Sequence, residues 1–209
     1  DDTVPGLDQG DEAASWLQAF LGKEGLRLVL FADSTRRRTD PFYGIGETAF
    51  ADGFPVLLTS QASVNDVNRR LEGDVCIEQE SFRPNIHVSG CRAFEEDEIP
   101  AIVFYGPERG LVVTSAGAPQ ARLKLVKPCS RCTVPTVDQH TAARKAGGEP
   151  LRTLRRYRTA ELLRRSSRLH QAFFSRPEIA DDAYFGQNAL VEVTPGTMLK
   201  VGDVAEVEW

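Results

Sequence analysis

The chain has 209 residues, of which 41% are hydrophobic and 26% are charged. This is the balance of an ordinary globular protein that is large enough to bury a substantial core. The formal net charge of −5 argues against nucleic acid as the principal partner. Apolar runs all fall short of the roughly 18 residues that a membrane-spanning helix needs.

The N-terminal part of the sequence predicts one helix, one strand and a loop. Apolar residues recur at the helical period between Asp11 and Leu21, and Gly22 ends that helix. Residues 26–32 (LRLVLFA) predict a strand. Residues 33–46 are polar, rich in arginine and interrupted by Pro41, which is typical of a loop.

The middle of the chain predicts a β-rich domain. Residues 54–59 predict a strand, and a helix follows that begins near Ser60 or Ser63, where Ser63 and Asp66 match a capping box. Glycine and proline then punctuate short apolar runs at regular intervals, as in a barrel or sandwich. These runs are residues 86–89, 101–105, 111–115 and 123–127.

The C-terminal part predicts helices followed by closing strands. Pro150 suits the first turn of a helix, and residues 151–174 look helical in two pieces. Closing strands are predicted at residues 189–193, 198–201 and 204–208. The pattern as a whole predicts a mainly β fold, a barrel with about three peripheral helices.

Two of the four cysteines, Cys129 and Cys132, form a CxxC pair. Arg131 and Lys127 are positive neighbours that favour a thiolate at Cys132, and a thiolate is a soft metal ligand. A structural zinc site needs four ligands, and the chain has no second close-spaced pair. A thioredoxin-like pair would precede a helix, whereas residues 133–137 predict continued β structure. Spacing alone leaves a functional and a structural CxxC equally open.

Arginines cluster at residues 36–38 and again at residues 152–168. Such clusters are commonly solvated faces. The alternative is an anion site or a docking surface for an acidic redox partner.

Several motifs together resemble the MOSC domain, which takes its name from the C-terminal domain of molybdenum cofactor sulfurases. The resemblance spans most of the chain and is closest to the mitochondrial amidoxime-reducing component and its bacterial relatives. The motifs are DGFP (52–55), SQAS (60–63), FRPNIHVSG (82–90), CSRC (129–132), PTVD (135–138), PLRTLRRYR (150–158), FGQN (185–188), PGT (195–197) and VGD (201–203).

The resemblance implies a MOSC-type β-barrel at residues 51–209, preceded at residues 1–50 by a residual helix, strand and loop. It also implies that the family's N-terminal β segment, which contributes to the phosphate end of the cofactor, is missing here. The implied cofactor is molybdenum–molybdopterin, with Cys132 as metal ligand and catalytic residue. The implied cofactor-binding residues are Arg83, Asn85, Ser130, Arg131 and Asn188, the last at a position where relatives can carry tyrosine.

Structural roles compete with several of these assignments. Arg83 could be an ordinary surface arginine, Ser130 a turn residue and Cys129 a small buried apolar residue. Asp138 fits a turn better than a proton donor. His87 alternates with apolar neighbours and is typical of packing rather than ligation.

The resemblance implies a molybdenum-dependent oxidoreductase that reduces small N-hydroxylated substrates such as amidoximes and hydroxylamines. Its electrons would come from a cytochrome b5-type or ferredoxin-type protein with its reductase. We expect a soluble protein in a reducing compartment, in the first place the cytoplasm, with the mitochondrion as the alternative. The alternatives are a non-catalytic cofactor-binding or sulfur-carrier module related to the sulfurases, and a zinc-binding or metal-free barrel without chemistry.

Overall fold

The computed structural model describes residues 3–105, 120–167, 169–179 and 181–209. The strand predicted at residues 111–115 lies outside these residues. Two compact units are present, of which the first ends at Pro55 and the second begins at Val56. Within the described ranges, no helix has the length and apolar character needed to cross a membrane.

The first unit contains helix α1 (Asp11–Leu21) between strands β1 (Gly6–Asp8) and β2 (Val29–Phe31), which pair antiparallel. The predicted helix is confirmed, and Gly22 ends it in the left-handed conformation that glycine adopts without steric penalty. The strand predicted at residues 26–32 is present but shorter, because β2 covers only Val29–Phe31. Strand β1 was not predicted, because three exposed residues carry no alternating pattern and become a strand only through pairing with β2.

The second unit is built on one curled, six-stranded sheet. Its strands are β3 (Val56–Ser60), β4 (Ile86–Val88), β5 (Ala101–Tyr105), β6 (Ala121–Ser130), β7 (Tyr184–Val193) and β8 (Val204–Glu208). Their order is β4-β3-β7-β6-β5-β8, with β3 and β4 parallel and the other pairs antiparallel. The predicted mainly β, barrel-like fold is therefore confirmed.

Four helices belong to the second unit in its described part: α2 (Gln61–Arg70), α3 (Leu151–Arg155), α4 (Ala160–Ser166) and α5 (Gln171–Phe174). The stretch predicted as two helical pieces is thus three short helices. One core cluster lies on the sheet around Leu58, Leu123 and Ala189. A second cluster, which includes Phe82 and Phe185, packs α2 and α3 against the site-bearing segments.

Helix α2 begins directly after strand β3. Ser60 is its N-cap, and the Ser60 hydroxyl accepts a hydrogen bond from the Ser63 amide at 3.2 Å. The predicted start at Ser60 is therefore confirmed, but the predicted capping box of Ser63 and Asp66 is wrong. Asp66 instead lies one turn into the helix and accepts hydrogen bonds from Arg69 and Arg70.

The predicted strand at residues 198–201 is also wrong. Lys200 and Asp203 close a turn, in which the Lys200 amide donates to the Asp203 carboxylate at 2.8 Å. A strand needs a ladder partner, and the chain pairs with β5 only from Val204 onward. Apolar composition alone did not distinguish this turn from a strand.

Strand β7 carries a bulge at the FGQN segment (residues 185–188). Between the register pairs Gln187–Pro128 and Tyr184–Ser130, β7 has one more residue than β6. Gly186 lies in this interval and has φ 78°. A Cβ at Gly186 would lie 2.8 Å from the Leu58 carbonyl oxygen and 2.9 Å from a Thr59 methyl group. The close approach of β7 to β3 therefore requires glycine here.

We expect Gly186→Ala to destabilise the protein by about 2–4 kcal/mol, because a left-handed non-glycine residue and a steric overlap each cost about 1–3 kcal/mol. Urea unfolding measures the loss. Gly90→Ala is the matched control, since Gly90 also has positive φ, 90°, but open space around its Cβ position. Equal losses in the two variants would show that the overlap with β3 contributes nothing.

Candidate functional site

The CSRC segment (residues 129–132) lies at the C-terminal end of β6. The strand ends at Ser130, which is exposed, and Cys132 follows with an exposed side chain. The β structure predicted for residues 133–137 is wrong, because Val134–Thr136 form a single 3-10 turn with Pro135 in its middle. One such turn is much shorter than the helix that follows a thioredoxin-like pair.

Arg131 joins three segments that are distant in sequence. Its amide donates to the Ala183 carbonyl at 2.8 Å, at the start of the FGQN strand. Its Nη2 donates to the Phe82 carbonyl at 2.7 Å, and its Nη1 donates to the buried Cys129 sulfur at 3.0 Å. The guanidinium also lies over the Phe82 ring, which stacks on Phe185. Arg131 therefore fixes the turn that presents Cys132.

One group of Arg131 remains without a partner. Its Nε is buried and makes no hydrogen bond to the part of the chain that the structure describes. Since a buried donor left unpaired is costly, this atom marks a place where a ligand oxygen would be stabilised. The other two nitrogens of the guanidinium, Nη1 and Nη2, nevertheless donate hydrogen bonds to protein atoms.

The FRPN segment (residues 82–85) turns sharply into β4. Arg83 has a left-handed backbone, φ 54°, and an exposed side chain with no partner among the described residues. Left-handed non-glycine residues are uncommon and cluster at functional sites. Asn85 exchanges two bonds with Leu57, since its side-chain oxygen accepts from the Leu57 amide at 2.8 Å and its own amide donates to the Leu57 carbonyl at 3.0 Å. The Asn85 NH2 group remains available to a ligand.

Asn188 lies on β7 between two register partners, Leu57 on β3 and Lys127 on β6. Its side chain is half-buried and has no hydrogen-bond partner in the described ranges. The neighbouring strands therefore place Asn188 and Asn85 on either side of Leu57. Together with the Arg131 contacts, this register brings the FRPN, CSRC and FGQN segments to one region of the sheet.

A cavity of about 590 Å³ opens beside Asn85, between β4 and the segment that leads into β8. This volume is in the range of small-molecule sites. Its lining includes Asn85 but not Cys132.

The structure favours a packing role for His87 over metal ligation, and a turn role for Asp138 over proton donation. The two ring nitrogens of His87 contact Thr59 and Gln61 at 2.8 and 3.1 Å, and burial lowers the His87 pKa. Asp138 accepts hydrogen bonds from the Thr141 amide, the Thr141 hydroxyl and the His140 amide, and these bonds lower the pKa of its carboxyl. Asp138 is therefore an ionised turn residue.

Sequence analysis missed a buried polar network behind the FGQN strand. Arg158, read as part of an arginine-rich face, is buried and donates to Asp97 at 2.6 Å and to the Tyr184 carbonyl at 3.2 Å. Asp97 also accepts from the fully buried Gln187 at 2.7 Å. No local sequence pattern marks Asp97 as part of a buried network. The glutamine of the FGQN motif was the available sequence signal for this network.

Other arginines of this run are also paired within the chain. Arg152 and Arg156 bridge to Glu72, Arg152 also bridges to Glu149, and Arg165 bridges to Glu161. Arg164 is exposed and has no hydrogen-bond or ion-pair partner among the described residues. The cluster is therefore largely a set of ion pairs rather than a free basic face.

Glu96 is a second buried acid, and its two oxygens accept hydrogen bonds from the Ser60 and Ser63 hydroxyls at 3.0 and 2.6 Å. Burial raises the Glu96 pKa above its ordinary value of 4.5, and the nearby Asp97 charge adds to this. The folded state therefore binds more protons than the unfolded state. The stability contribution of Glu96 is full below about pH 4.5 and is lost as the pH rises through the folded-state pKa.

We expect Glu96→Gln to be more stable than the wild type at pH 8, with a smaller difference at pH 5, because glutamine removes the ionisation. Urea unfolding at both pH values measures the difference. Glu98→Gln is the control, since Glu98 is exposed. A difference for Glu96→Gln that does not depend on pH would contradict the raised pKa.

All four cysteines are free, and the part of the chain that the structure describes contains no group of three or more His, Cys, Asp or Glu side chains arranged to hold a metal ion. The zinc alternative therefore has no ligand set within that part.

Comparison with known proteins identifies the family. The family model of the MOSC domain matches residues 46–206. The chain belongs to the MOSC domain family. MOSC domains are associated with the molybdenum cofactor, and the function of this MOSC domain is related to that cofactor.

Curated relatives of this chain include amidoxime-reducing components. The chain is 34% identical to mitochondrial amidoxime-reducing component 1 of Mus musculus over 205 residues, which is 96% of this chain and 52% of that protein. It is 36% identical to component 2 of Rattus norvegicus over 189 residues, 84% of this chain and 50% of that protein. This MOSC domain thus spans about half the length of the curated relatives it matches.

Proposed function

We propose that this MOSC domain binds the molybdenum cofactor at the CSRC segment and, supplied with electrons, reduces N-hydroxylated substrates such as amidoximes and hydroxylamines. The observation that carries the proposal is the exposed Cys132 thiol, held at the end of β6 where Arg131 joins the CSRC, FRPN and FGQN segments. The names of the relatives support the reaction class.

The donor set fits this cofactor. Cys132 is an isolated exposed thiol in the described ranges, so a metal bound to it needs its other ligands from outside the protein. Molybdopterin brings two dithiolene sulfurs, and the bound metal supplies two-electron redox chemistry that amino-acid side chains lack. The phosphate requires cationic donors, which exposed Arg83 and the unpaired Arg131 Nε offer.

The residues of this chain would then bind the cofactor and orient it. Cys132 ligates the metal. The amide NH2 of Asn85 and the amide of Asn188 can pair with the donor and acceptor edge of a pterin, because amides present both kinds of group. Ser130, exposed beside Cys132, adds a hydroxyl. Arg131 holds the CSRC turn against the Phe82 carbonyl, so that the thiolate is presented in a fixed direction.

Electrons would come from a small electron-transfer protein of the cytochrome b5 or ferredoxin type, with its reductase. Exposed Arg164 on α4 is a candidate contact for an acidic donor, because unpaired surface charge steers association. The relatives are named as mitochondrial proteins, which makes the mitochondrion the favoured compartment for this chain.

The test is reduction of benzamidoxime by protein of measured molybdenum content, with a donor and its reductase. Turnover that is proportional to molybdenum content would support the proposal. Fully loaded protein that reduces neither benzamidoxime nor a hydroxylamine would overturn the reductase function.

The exposure of Cys132 also allows a second candidate function, a sulfur carrier. A persulfide needs an accessible sulfur, and Cys132 is exposed whereas Cys129 is buried against Arg131. Mass spectrometry after incubation with a cysteine desulfurase would reveal a reducible sulfur adduct on Cys132. Without such an adduct this candidate fails.

A further inference from the structure

The cavity of about 590 Å³ beside Asn85 is a space that the proposed function does not use. Strands β4 and β8 are the two edges of the curled sheet, and they face each other across this cavity. One wall is formed by residues 85–89, and the other by residues 199–205, which contain the VGD motif. Of the described residues that line the cavity, only Asn85 also belongs to the candidate cofactor site.

Much of the cavity wall is apolar. Ile86 and Val88 pack against the core cluster of the sheet, and Phe104 belongs to that cluster. Leu199 and Val204 add apolar side chains from the opposite wall. A ligand with an apolar body, such as an aromatic ring, would therefore gain from transfer out of water into this cavity.

The acid in this wall is Asp203. Its Oδ2 accepts a hydrogen bond from the Lys200 amide at 2.8 Å, whereas its Oδ1 is buried and has no hydrogen-bond partner among the described residues. The exposed Lys200 ammonium forms no ion pair with the described part of the chain. His87 in the opposite wall adds no positive charge at neutral pH, because burial lowers its pKa.

A carboxylate in this situation favours a particular kind of ligand. A buried acceptor without a donor is costly, and a donor that a ligand supplies removes that cost. Hydrogen bonds between a cation and a carboxylate are stronger than those between neutral groups. The ligand that suits both the apolar wall and Asp203 is therefore an apolar molecule with a positively charged N–H group.

We propose that the cavity between β4 and β8 binds an organic cation with an apolar body, an amidinium or a primary ammonium, and that Asp203 anchors its N–H group. The apolar body then lies between Phe104 and the apolar residues of the two walls. The neutral His87 and the exposed Lys200 leave the charge of Asp203 to the ligand.

The identity of the natural ligand, unlike the cation chemistry of the cavity, rests on the proposed function. Reduction of an amidoxime by two electrons and two protons breaks the N–O bond and gives an amidine and water. The amidine is a much stronger base than the amidoxime and takes up a further proton in neutral solution. Because Asn85 is shared between the cofactor site and the cavity, the cation formed at the cofactor would meet Asp203 nearby.

The experiment measures ligand binding by calorimetry, without turnover. The probes are benzamidine, which is a cation, benzamide, which is neutral and has nearly the same shape, and benzoate, which is an anion. Asp203→Asn removes the charge but keeps an oxygen for the Lys200 amide. Glu206→Gln is the matched control, since Glu206 is an acid of β8 outside the described lining. Ala205→Phe fills the cavity from an exposed position, where a larger side chain is compatible with folding.

We expect benzamidine to bind about tenfold more tightly than benzamide, because only benzamidine forms a charge-assisted hydrogen bond. Asp203→Asn should raise the Kd of benzamidine about tenfold and leave the Kd of benzamide unchanged, which also shows that the cavity is intact. Ala205→Phe should weaken the binding of both compounds, and Glu206→Gln should match the wild type.

The proposal is overturned if benzamidine binds no better than benzamide, or if Asp203→Asn has no more effect than Glu206→Gln. Tighter binding of benzoate than of benzamidine would also overturn it, since the wall would then act through Lys200. Failure of the proposed function gives a different result, because fully loaded protein would not reduce benzamidoxime while benzamidine binding still depended on Asp203. In active protein, benzamidine should inhibit the reduction, and an inhibition constant that Asp203→Asn leaves unchanged would overturn the assignment of the product to this cavity.

Discussion

Replacing Cys132 with alanine is expected to abolish molybdenum retention and reductase activity while leaving the free energy of unfolding within about 0.5 kcal/mol of the wild type. The thiol is exposed and makes no hydrogen bond to the described residues, so its loss removes no packing. It does remove the protein ligand that we assign to the metal. Elemental analysis of purified protein measures the first effect, and urea unfolding measures the second.

Cys76→Ala is the matched control, because Cys76 is also an exposed free cysteine. It should keep the molybdenum content and activity of the wild type. If Cys132→Ala retained as much molybdenum as Cys76→Ala, the thiolate would not be the ligand, and the assignment of the CSRC segment to the metal would be wrong.

The elements that sequence predicted well are those whose apolar pattern repeats over several residues. Helix α1 has the predicted bounds, and β5 matches residues 101–105 because its apolar run is buried in the sheet from Ala101 to Phe104. The pattern failed where pairing or turns decide the structure. Strand β1 exists through its partner β2, and residues 198–201 are mostly apolar but have no ladder partner.

The candidate site shows the same division. The FRPN, CSRC and FGQN segments could be named from sequence, because each is a local motif, and the register and the Arg131 contacts bring them together. The residues that support them could not be named. Arg158 and Arg164 lie in one arginine-rich run, yet Arg158 is buried against Asp97 while Arg164 is exposed. That contrast depends on a partner about sixty residues away, which local composition does not encode.

The bulges at Val126 on β6 and at Gly186 on β7 are similar cases. A lysine near the end of an apolar strand gives no sign of which face it occupies, since one inserted residue reverses the face. The extra residue at Val126 is visible only once β6 is aligned with β7.

Replacing Arg158 with methionine is expected to destabilise the protein by about 3–5 kcal/mol, which is a large share of the stability of a typical domain. Methionine keeps most of the side-chain volume but leaves the Asp97 carboxylate without its cation, although the Gln187 amide still donates to it. The Tyr184 carbonyl also loses a donor. Urea unfolding with an unchanged m value would measure the loss.

Two further variants separate the loss of the buried ion pair from the other effects of replacing Arg158. Arg164→Met removes an exposed arginine of the same run and should stay within about 0.5 kcal/mol of the wild type. Asp97→Asn combined with Arg158→Met should recover part of the loss, because the uncompensated charge is then absent. If the double variant were no more stable than Arg158→Met, the loss would come from packing, and the ion pair behind the FGQN strand would not stabilise the fold.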